Sequence, residues 1–300
     1  MKKLVIAIST ILAAGSAYAG NEADTSLLHS DSDTVTITQT TGHANPAWGH
    51  DADVDLRYSE DNTVTIEQVG SLNNADVEIF YGDDNDVTVN QNSLNNDAYI
   101  DVKFGSDNNS VTVNQYKMDN VADIEVEYNS DRNDVSVSQR WYNDADVEVI
   151  GNSDGNTVSV SQYFDNTAEI DVRNRSNDNN IYLSQGSFND ANVDVLDHSD
   201  GNTITMSQSL GNTATVLLEG NSDGNTLDIS QVDYNSADVH LHDHSDNNDI
   251  SIDQTSFNSY ASVHLGNSSY NTISIMQTAN DVATVTGHHA NGSTVSIYQY

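Results

Sequence analysis

The chain has 300 residues, with 46 acidic and 9 basic side chains and a formal net charge of −37 at pH 7. A surface this acidic repels nucleic acid phosphates and anionic lipid and attracts cations, so nucleic acid is excluded as a partner. The chain has no Cys, so disulfides do not hold it together. Residues 1–19 read as a secretory signal peptide. Lys2 and Lys3 form a charged start, Leu4 to Ala14 an apolar run, and Ala17-Tyr18-Ala19 a small-residue cleavage site. The run is too short to span a bilayer, and no later segment approaches about 18 consecutive apolar residues, so no membrane insertion is expected. Cleavage after Ala19 leaves 7 basic residues (9 minus Lys2 and Lys3) against 46 acidic ones, a formal charge of −39, on an exported chain.

Residues 20–30 form a short N-terminal segment, and residues 31–300 are repeats. A glutamine recurs at Gln39, Gln68, Gln91, Gln115, Gln139, Gln162, Gln185, Gln208, Gln231, Gln254, Gln277 and Gln299. The steps are 22 to 24 residues, apart from the 29 residues between Gln39 and Gln68. Ala52, Ala75, Ala98, Ala122, Ala145 and their successors keep the same period. Such a period means that each unit buries its apolar face by stacking on copies of itself. The low hydrophobicity and high charge would also fit disorder, but disordered tracts have no reason to hold Val and Ile in register.

One unit, Asn62 to Gly82, shows the plan. Val64, Ile66 and Gln68 alternate with Thr63, Thr65 and Glu67, and after a turn Asn73, Ala75, Val77 and Ile79 alternate with Asn74, Asp76 and Glu78. Period-2 alternation bounded by Asn, Gly, Ser and Asp predicts two half-buried strands joined by turns. The fold class is therefore all-β: a flattened two-sheet β-solenoid of about eleven rungs of about 23 residues, each strand–turn–strand. One irregularity, Thr41 to Asp51, contains Pro46, the only proline.

The inward set is Asn, Val/Ile, Val/Ile, Gln from strand one and Asn, Ala, Val/Ile, Val/Ile from strand two, and two of its polar columns are read as ladders. One is the glutamine series. The other is an asparagine six residues ahead of it, at Asn62, Asn85, Asn109, Asn133, Asn156, Asn179, Asn202, Asn225, Asn248 and Asn271. Stacked identical amides can donate to one neighbour and accept from the other, so together they form a candidate self-assembly ladder. The Ser-Asp-x-Asn runs at Ser106, Ser130, Ser153, Ser199, Ser222 and Ser245 suit turns, with Gly155, Gly201 and Gly224 supplying positive φ.

These units resemble curlin repeats, the building blocks of bacterial curli fibres. The order of that family appears as Val64-Thr-Ile-Glu-Gln68 then Asn73-Asn-Ala75, and as Val158-Ser-Val-Ser-Gln162 then Asn166-Thr-Ala168. The resemblance covers roughly residues 31–300. The chain differs in its Asn six before Gln and in the Val or Ile that closes strand two. The resemblance implies an exported subunit that polymerises into extracellular amyloid-type fibres for biofilm matrix and surface adhesion. It also implies partners: further copies of itself, a nucleator subunit at the cell surface and an outer-membrane export pore. The final strand, Thr294 to Tyr300, carries no cap, which suits growth by edge-to-edge strand addition.

Other readings concern the outward faces. Acid stands three residues after the alanine at Asp55, Glu78, Asp101, Glu125, Glu148, Asp171 and Asp194, which is either a cation-binding stripe or a solvated face. His240, His242 and His244 alternate, with His264 one rung on, a spacing that suits Zn²⁺ or Cu²⁺ but also a plain solvent-facing run. Outward Thr and Ser invite an ice-binding reading, interrupted by Glu67, Asn90 and Tyr182. Trp141, Tyr142, Phe164, Phe188, Tyr234 and Phe257 read as turn packing or as a carbohydrate platform. Catalysis needs one preorganised site, whereas a repeat offers the same residues a dozen times, so no enzyme activity and no cofactor are expected. The alternative to a fibre subunit is a monomeric or surface-attached β-solenoid that binds cations, ice or glycans through one face.

Overall fold

The computed structural model describes residues 20–41 and 46–300; the expected signal peptide lies outside the described residues. Two compact units divide the chain, one ending at Gly151 and the other running from Asn152 to Tyr300. Both are all-β. In unit 1 the odd strands are β1 (Glu22–Leu28), β3 (Asp51–Arg57), β5 (Asn74–Phe80), β7 (Asp97–Lys103), β9 (Val121–Glu127) and β11 (Asp144–Ile150). Its even strands are β2 (Thr34–Thr41), β4 (Thr63–Ser71), β6 (Asp86–Leu94), β8 (Ser110–Met118) and β10 (Asp134–Trp141). Each set pairs in numerical order into one parallel sheet.

Unit 2 repeats the plan. Its even strands are β12 (Thr157–Phe164), β14 (Asn180–Ser187), β16 (Thr203–Leu210), β18 (Thr226–Asp233), β20 (Asp249–Phe257), β22 (Thr272–Gln277) and β24 (Thr294–Gln299). The odd sheet holds β13 (Thr167–Arg173), β15 (Asp190–Leu196), β17 (Thr213–Leu218), β19 (Ser236–His242), β21 (Tyr260–Gly266) and β23 (Val282–His288). Each unit is by itself a β-solenoid of two parallel sheets with ~23 residues per turn.

Register explains the stability of each unit. Val64 faces Val87, Ile66 faces Val89 and Gln68 faces Gln91, and in the neighbouring pairs apolar residues again face apolar ones and glutamine faces glutamine. A one-residue slip would turn these side chains to solvent, so the alternation admits one pairing. Val64, Ile66, Val77 and Ile79 are fully buried. Each such side chain contributes roughly 1.5–3 kcal/mol of burial.

The N-terminal segment departs from expectation. Residues 22–28 form β1, which pairs with β3 so that Ala23 lies on Ala52 and Leu27 on Leu56. Asn21-Glu22-Ala23 is an Asn-x-Ala motif, 29 residues ahead of Ala52 as Gln39 is ahead of Gln68. The insertion that lengthens the glutamine step thus separates two halves of a regular rung. Within it, Pro46–Trp48 forms a short 3-10 turn.

Candidate assembly ladders

The repeat glutamines cross the interior of each rung. In unit 1, Nε2 of Gln39, Gln68, Gln91 and Gln115 donates to Oε1 of the next glutamine at 2.9–3.0 Å, ending on Gln139. In unit 2 the same bonds run from Gln162 through Gln185, Gln208, Gln231, Gln254 and Gln277 to Gln299, again at 2.9–3.0 Å. Each Nε2 also reaches the opposite sheet. Gln68 donates to the carbonyl of Asp51 at 2.7 Å and Gln91 to that of Asn74 at 2.6 Å. Those carbonyls immediately precede Ala52 and Ala75. The repeat alanine stops at Cβ, and this leaves room for the incoming amide.

The asparagine column runs the other way. Asn85, Asn109 and Asn133 each donate Nδ2 to Oδ1 of the preceding asparagine at 3.1 Å, starting from Asn62. Asn179, Asn202, Asn225, Asn248 and Asn271 do the same in unit 2 at 2.9–3.1 Å, starting from Asn156. The backbone N–H of each donates to the same oxygen, for example Asn85 to Asn62 at 2.9 Å. Asp33 begins the column, and its Oδ1 accepts from the backbone and side chain of Asn62 at 2.8 and 2.9 Å. Within each unit the glutamine amides therefore donate toward the C-terminal rung and the asparagine amides toward the N-terminal one.

Three further columns lie outside the expected ladder, although the first was expected to face inward. Asn73, Asn96, Asn120 and Asn143 form a second asparagine ladder, with Nδ2 to Oδ1 distances of 2.8–3.1 Å. His50 occupies the position before Asn73 and is buried; burial lowers its pKa, opposed by a contact with the Thr40 carbonyl. The turn serines are buried. Ser106 and Ser130 donate Oγ to carbonyls three residues back, at 2.9 and 2.8 Å, and Ser106 Oγ accepts from the Ser130 N–H at 3.2 Å. The neighbouring carboxylates of Asp83, Asp107 and Asp131 accept backbone N–H bonds from Glu60, Asp83 and Asp107 at 2.7–2.9 Å. The recurring Ser-Asp pair, at Ser106, Ser130, Ser153, Ser199, Ser222 and Ser245, is the sequence signal for these two columns, which carry bonds between rungs as well as turn chemistry.

The outward acids do stack: Asp55 lies on Glu78, Glu78 on Asp101 and Asp101 on Glu125. Cations two residues further along the same face partly neutralise them. Arg57 pairs with Asp55 and lies 4.0 Å from Glu78. Lys103 pairs with Asp101 and contacts Glu78 at 2.7 Å, and Arg173 reaches Asp171 at 3.2 Å. Burial lowers the Lys103 pKa, but the hydrogen bonds and charges of Asp101 and Glu78 outweigh it and leave the pKa raised. Glu125 has no such relief: burial first, then Glu127 and Glu148, raise its pKa. Asp194 is raised by burial and Glu169 and lowered by Arg173.

The histidine reading needs one correction. His240 and His242 share a face of β19 and His264 stacks on His240, but His244 does not join them. The strand ends at His242, and His244 sits exposed at φ +62°, where the turn carries its side chain away. Among the described residues, as placed, no three His, Asp or Glu side chains are arranged to hold a metal ion. The aromatics lie at the turns. Phe164 packs edge-on to Phe188 at 5.3 Å, Tyr234 meets Phe257 at 5.3 Å, and Lys117 Nζ stands 5.6 Å over Trp141. The outward column through Ser159 also carries Tyr182, Thr205 and Asp228, so it is not a uniform hydroxyl array.

The family model described as the curlin associated repeat matches residues 60–92 and again 82–116. Residues 60–116 carry curlin associated repeats. The matched span holds β4 to β8, with the glutamine and first asparagine ladders at Gln68, Gln91 and Gln115 and at Asn62, Asn85 and Asn109. The same strand–turn–strand register runs through the rest of unit 1 and through unit 2. The curlin repeat family is a family of structural proteins, and both repeat and fold fit a curli-like structural subunit. No curated protein matches the chain.

Proposed function

We propose that the chain is a subunit of extracellular curli-type amyloid fibres, which grow as one copy's last rung stacks on another copy's first. The observation that carries this reading is the uniform polarity of the ladders. A Gln299 amide of one copy offers a donor in the direction in which Gln39 of the next offers an acceptor. Among the described residues, Oε1 of Gln39 accepts no hydrogen bond, and Gln299 Nε2 donates only to Val282, at 3.1 Å. The apolar interior is open at the same places. A hollow of about 190 Å³ is lined by Ala23, Thr25, Val35 and Ile37, and one of about 200 Å³ by Leu265, Ile273, Val285 and Val295. Stacking two copies would fill both and pair β24 of one copy with β2 of the next, and β23 with β1.

On this reading residues 31–300, extended by β1, are the assembly module, and residues 1–19 direct export. The fibre would serve biofilm matrix and surface adhesion. Its partners would be further copies, a cell-surface nucleator and an outer-membrane export pore.

The test uses purified residues 20–300 at micromolar concentration. Thioflavin-positive, detergent-resistant fibres with a meridional repeat of about 4.8 Å are expected. Gln39→Leu and Gln299→Leu should slow elongation from parental seeds, whereas Gln162→Leu should leave it close to parental. A chain that stays a discrete monomer in the presence of seeds overturns the proposal in favour of a solenoid that binds through one face. Equal elongation by all three variants overturns the stacking mechanism.

A further inference from the structure

The outward column of the odd sheet in unit 2 changes chemistry along its length. It begins with Asp171 and Asp194, passes Leu217, and then holds His240 and His264 before Thr286. His242 lies two residues along from His240 on the same face. The three imidazoles form a closed triangle: ring centroids are 5.0 Å apart for His240 and His242, 4.9 Å for His240 and His264, and 4.8 Å for His242 and His264. Histidines from two adjacent rungs thus converge on one patch, a placement independent of the ladders inside the solenoid.

The nitrogen atoms are placed for more than solvation. Nε2 of His242 and Nε2 of His264 face each other at 3.0 Å. Two imidazoles bound to a tetrahedral Zn²⁺ at about 2.0–2.1 Å have their nitrogens roughly 3.3–3.4 Å apart. A few tenths of an ångström of opening would therefore admit the ion. Nδ1 of His242 contacts Asp243 Oδ2 at 2.8 Å. That carboxylate keeps the proton on Nδ1 and turns the Nε2 lone pair toward His264, the usual outer-shell arrangement for a metal-bound histidine. The rung of His264 leaves the space beside His242 open. Gly266 stands in register with His242, and a Cβ there would lie 2.7 Å from His242 Nε2 and 3.2 Å from His288 Nδ1. His240 supplies the third ring, now in contact with Glu219 through Nε2 at 3.1 Å.

We propose that His240, His242 and His264 form a binding site for a borderline divalent transition ion, Zn²⁺ or Cu²⁺. The rings as placed do not yet converge on one point, so binding requires His240 to rotate away from Glu219. His264 shifts its proton from Nε2 to Nδ1, so that both facing nitrogens present lone pairs and no net proton is released. A water completes the tetrahedron. Nitrogen-only donors select these ions over Ca²⁺ and Mg²⁺, which prefer oxygen. The site does not depend on fibre formation.

The test is Zn²⁺ titration by calorimetry of untagged residues 20–300, in excess Ca²⁺ to occupy carboxylates. One Zn²⁺ per chain is expected. The substitution pair His242→Asn and His264→Thr should weaken it by more than about tenfold; the threonine is the residue this column itself carries at Thr286, which preserves folding. Asp243→Asn should weaken binding toward the lower end of the 10–100-fold range typical of outer-shell partners. His198→Asn, at an exposed turn, should bind as the parent does. With Cu²⁺, electron paramagnetic resonance should show hyperfine splitting from three nitrogens. Equal Zn²⁺ affinity in parent and double variant, or loss of Zn²⁺ from the parent on adding Ca²⁺, overturns the proposal.

Discussion

Replacing Gln91 by leucine isolates what one interior amide contributes. Gln91 Nε2 donates to the carbonyls of Asn74 and Asn96 at 2.6 and 3.0 Å and to Gln115 Oε1 at 2.9 Å, while its Oε1 accepts from Gln68 at 2.9 Å. Leucine has similar volume and no polar atoms. Gln68 keeps the Asp51 and Asn73 carbonyls, and the Asn96 carbonyl keeps the Asn74 N–H at 2.8 Å. The main loss falls on Gln115 Oε1, a buried acceptor deprived of this donor, which costs about 1–3 kcal/mol. The Asn74 carbonyl loses a further bond worth about 0.5–1.5 kcal/mol. A destabilisation of about 2–4 kcal/mol is therefore expected.

Stacked repeats unfold through their neighbours, so the assay is hydrogen exchange of amides in the rungs of Gln68, Gln91 and Gln115. Protection should fall most in those rungs and less in rungs further away. Gln91→Glu supplies the companion test. At neutral pH it sets a carboxylate against three acceptors and should cost more than leucine. Burial raises the folded pKa of such a group above its unfolded value of about 4.3. The penalty is therefore complete above the folded pKa and lifts as pH falls through it. Protection in Gln91→Leu within about 0.5 kcal/mol of the parent would refute the ladder as a stabilising element.

The acids Asp53, Asp76, Asp123 and Glu125 have raised folded-state pKa values, through burial first and like charges second. The native state then binds more protons than the unfolded chain, so unit 1 should gain stability as pH falls from 7 toward the ordinary carboxylate range, seen as a rising melting temperature. The paired change Asp123→Asn and Glu125→Gln should flatten that rise. Deleting Asn156 to Asp178, one full period, should leave a folded chain by circular dichroism, while deleting half of it should not, because every later rung would lose its register. Leu72 sits at φ +57°, a position that Gly211 fills in another rung. Leu72→Gly should therefore stabilise by up to about 1 kcal/mol in chemical denaturation, the cost of a left-handed non-glycine residue. A loss of stability would show that Leu72 contacts outweigh the strain.

The periodicity was enough to determine the strands, their inward faces and their parallel stacking. Val64, Ile66 and Gln68 repeat as Val87, Val89 and Gln91, and only in-register pairing buries every copy. The direction of each ladder was not legible, because alternation says that an amide faces inward but not which way its donor points. That choice is made by partners such as the Asp51 carbonyl, which lies across the interior from Gln68. β1 was missed because its rung is interrupted by the long step to Gln68, and the pairing of Ala23 with Ala52 appears only once the intervening loop is set aside. The burial of Ser106 and Ser130 and the pairing of Lys103 with Glu78 depend on backbone and side-chain positions in adjacent rungs. The histidine patch shows the same division. Spacing alone groups His244 with His240 and His242, whereas the turn after β19 removes His244 and stacking brings in His264. Strand periodicity is a local property of the chain, but hydrogen-bond direction and turn geometry arise only when one rung lies against the next.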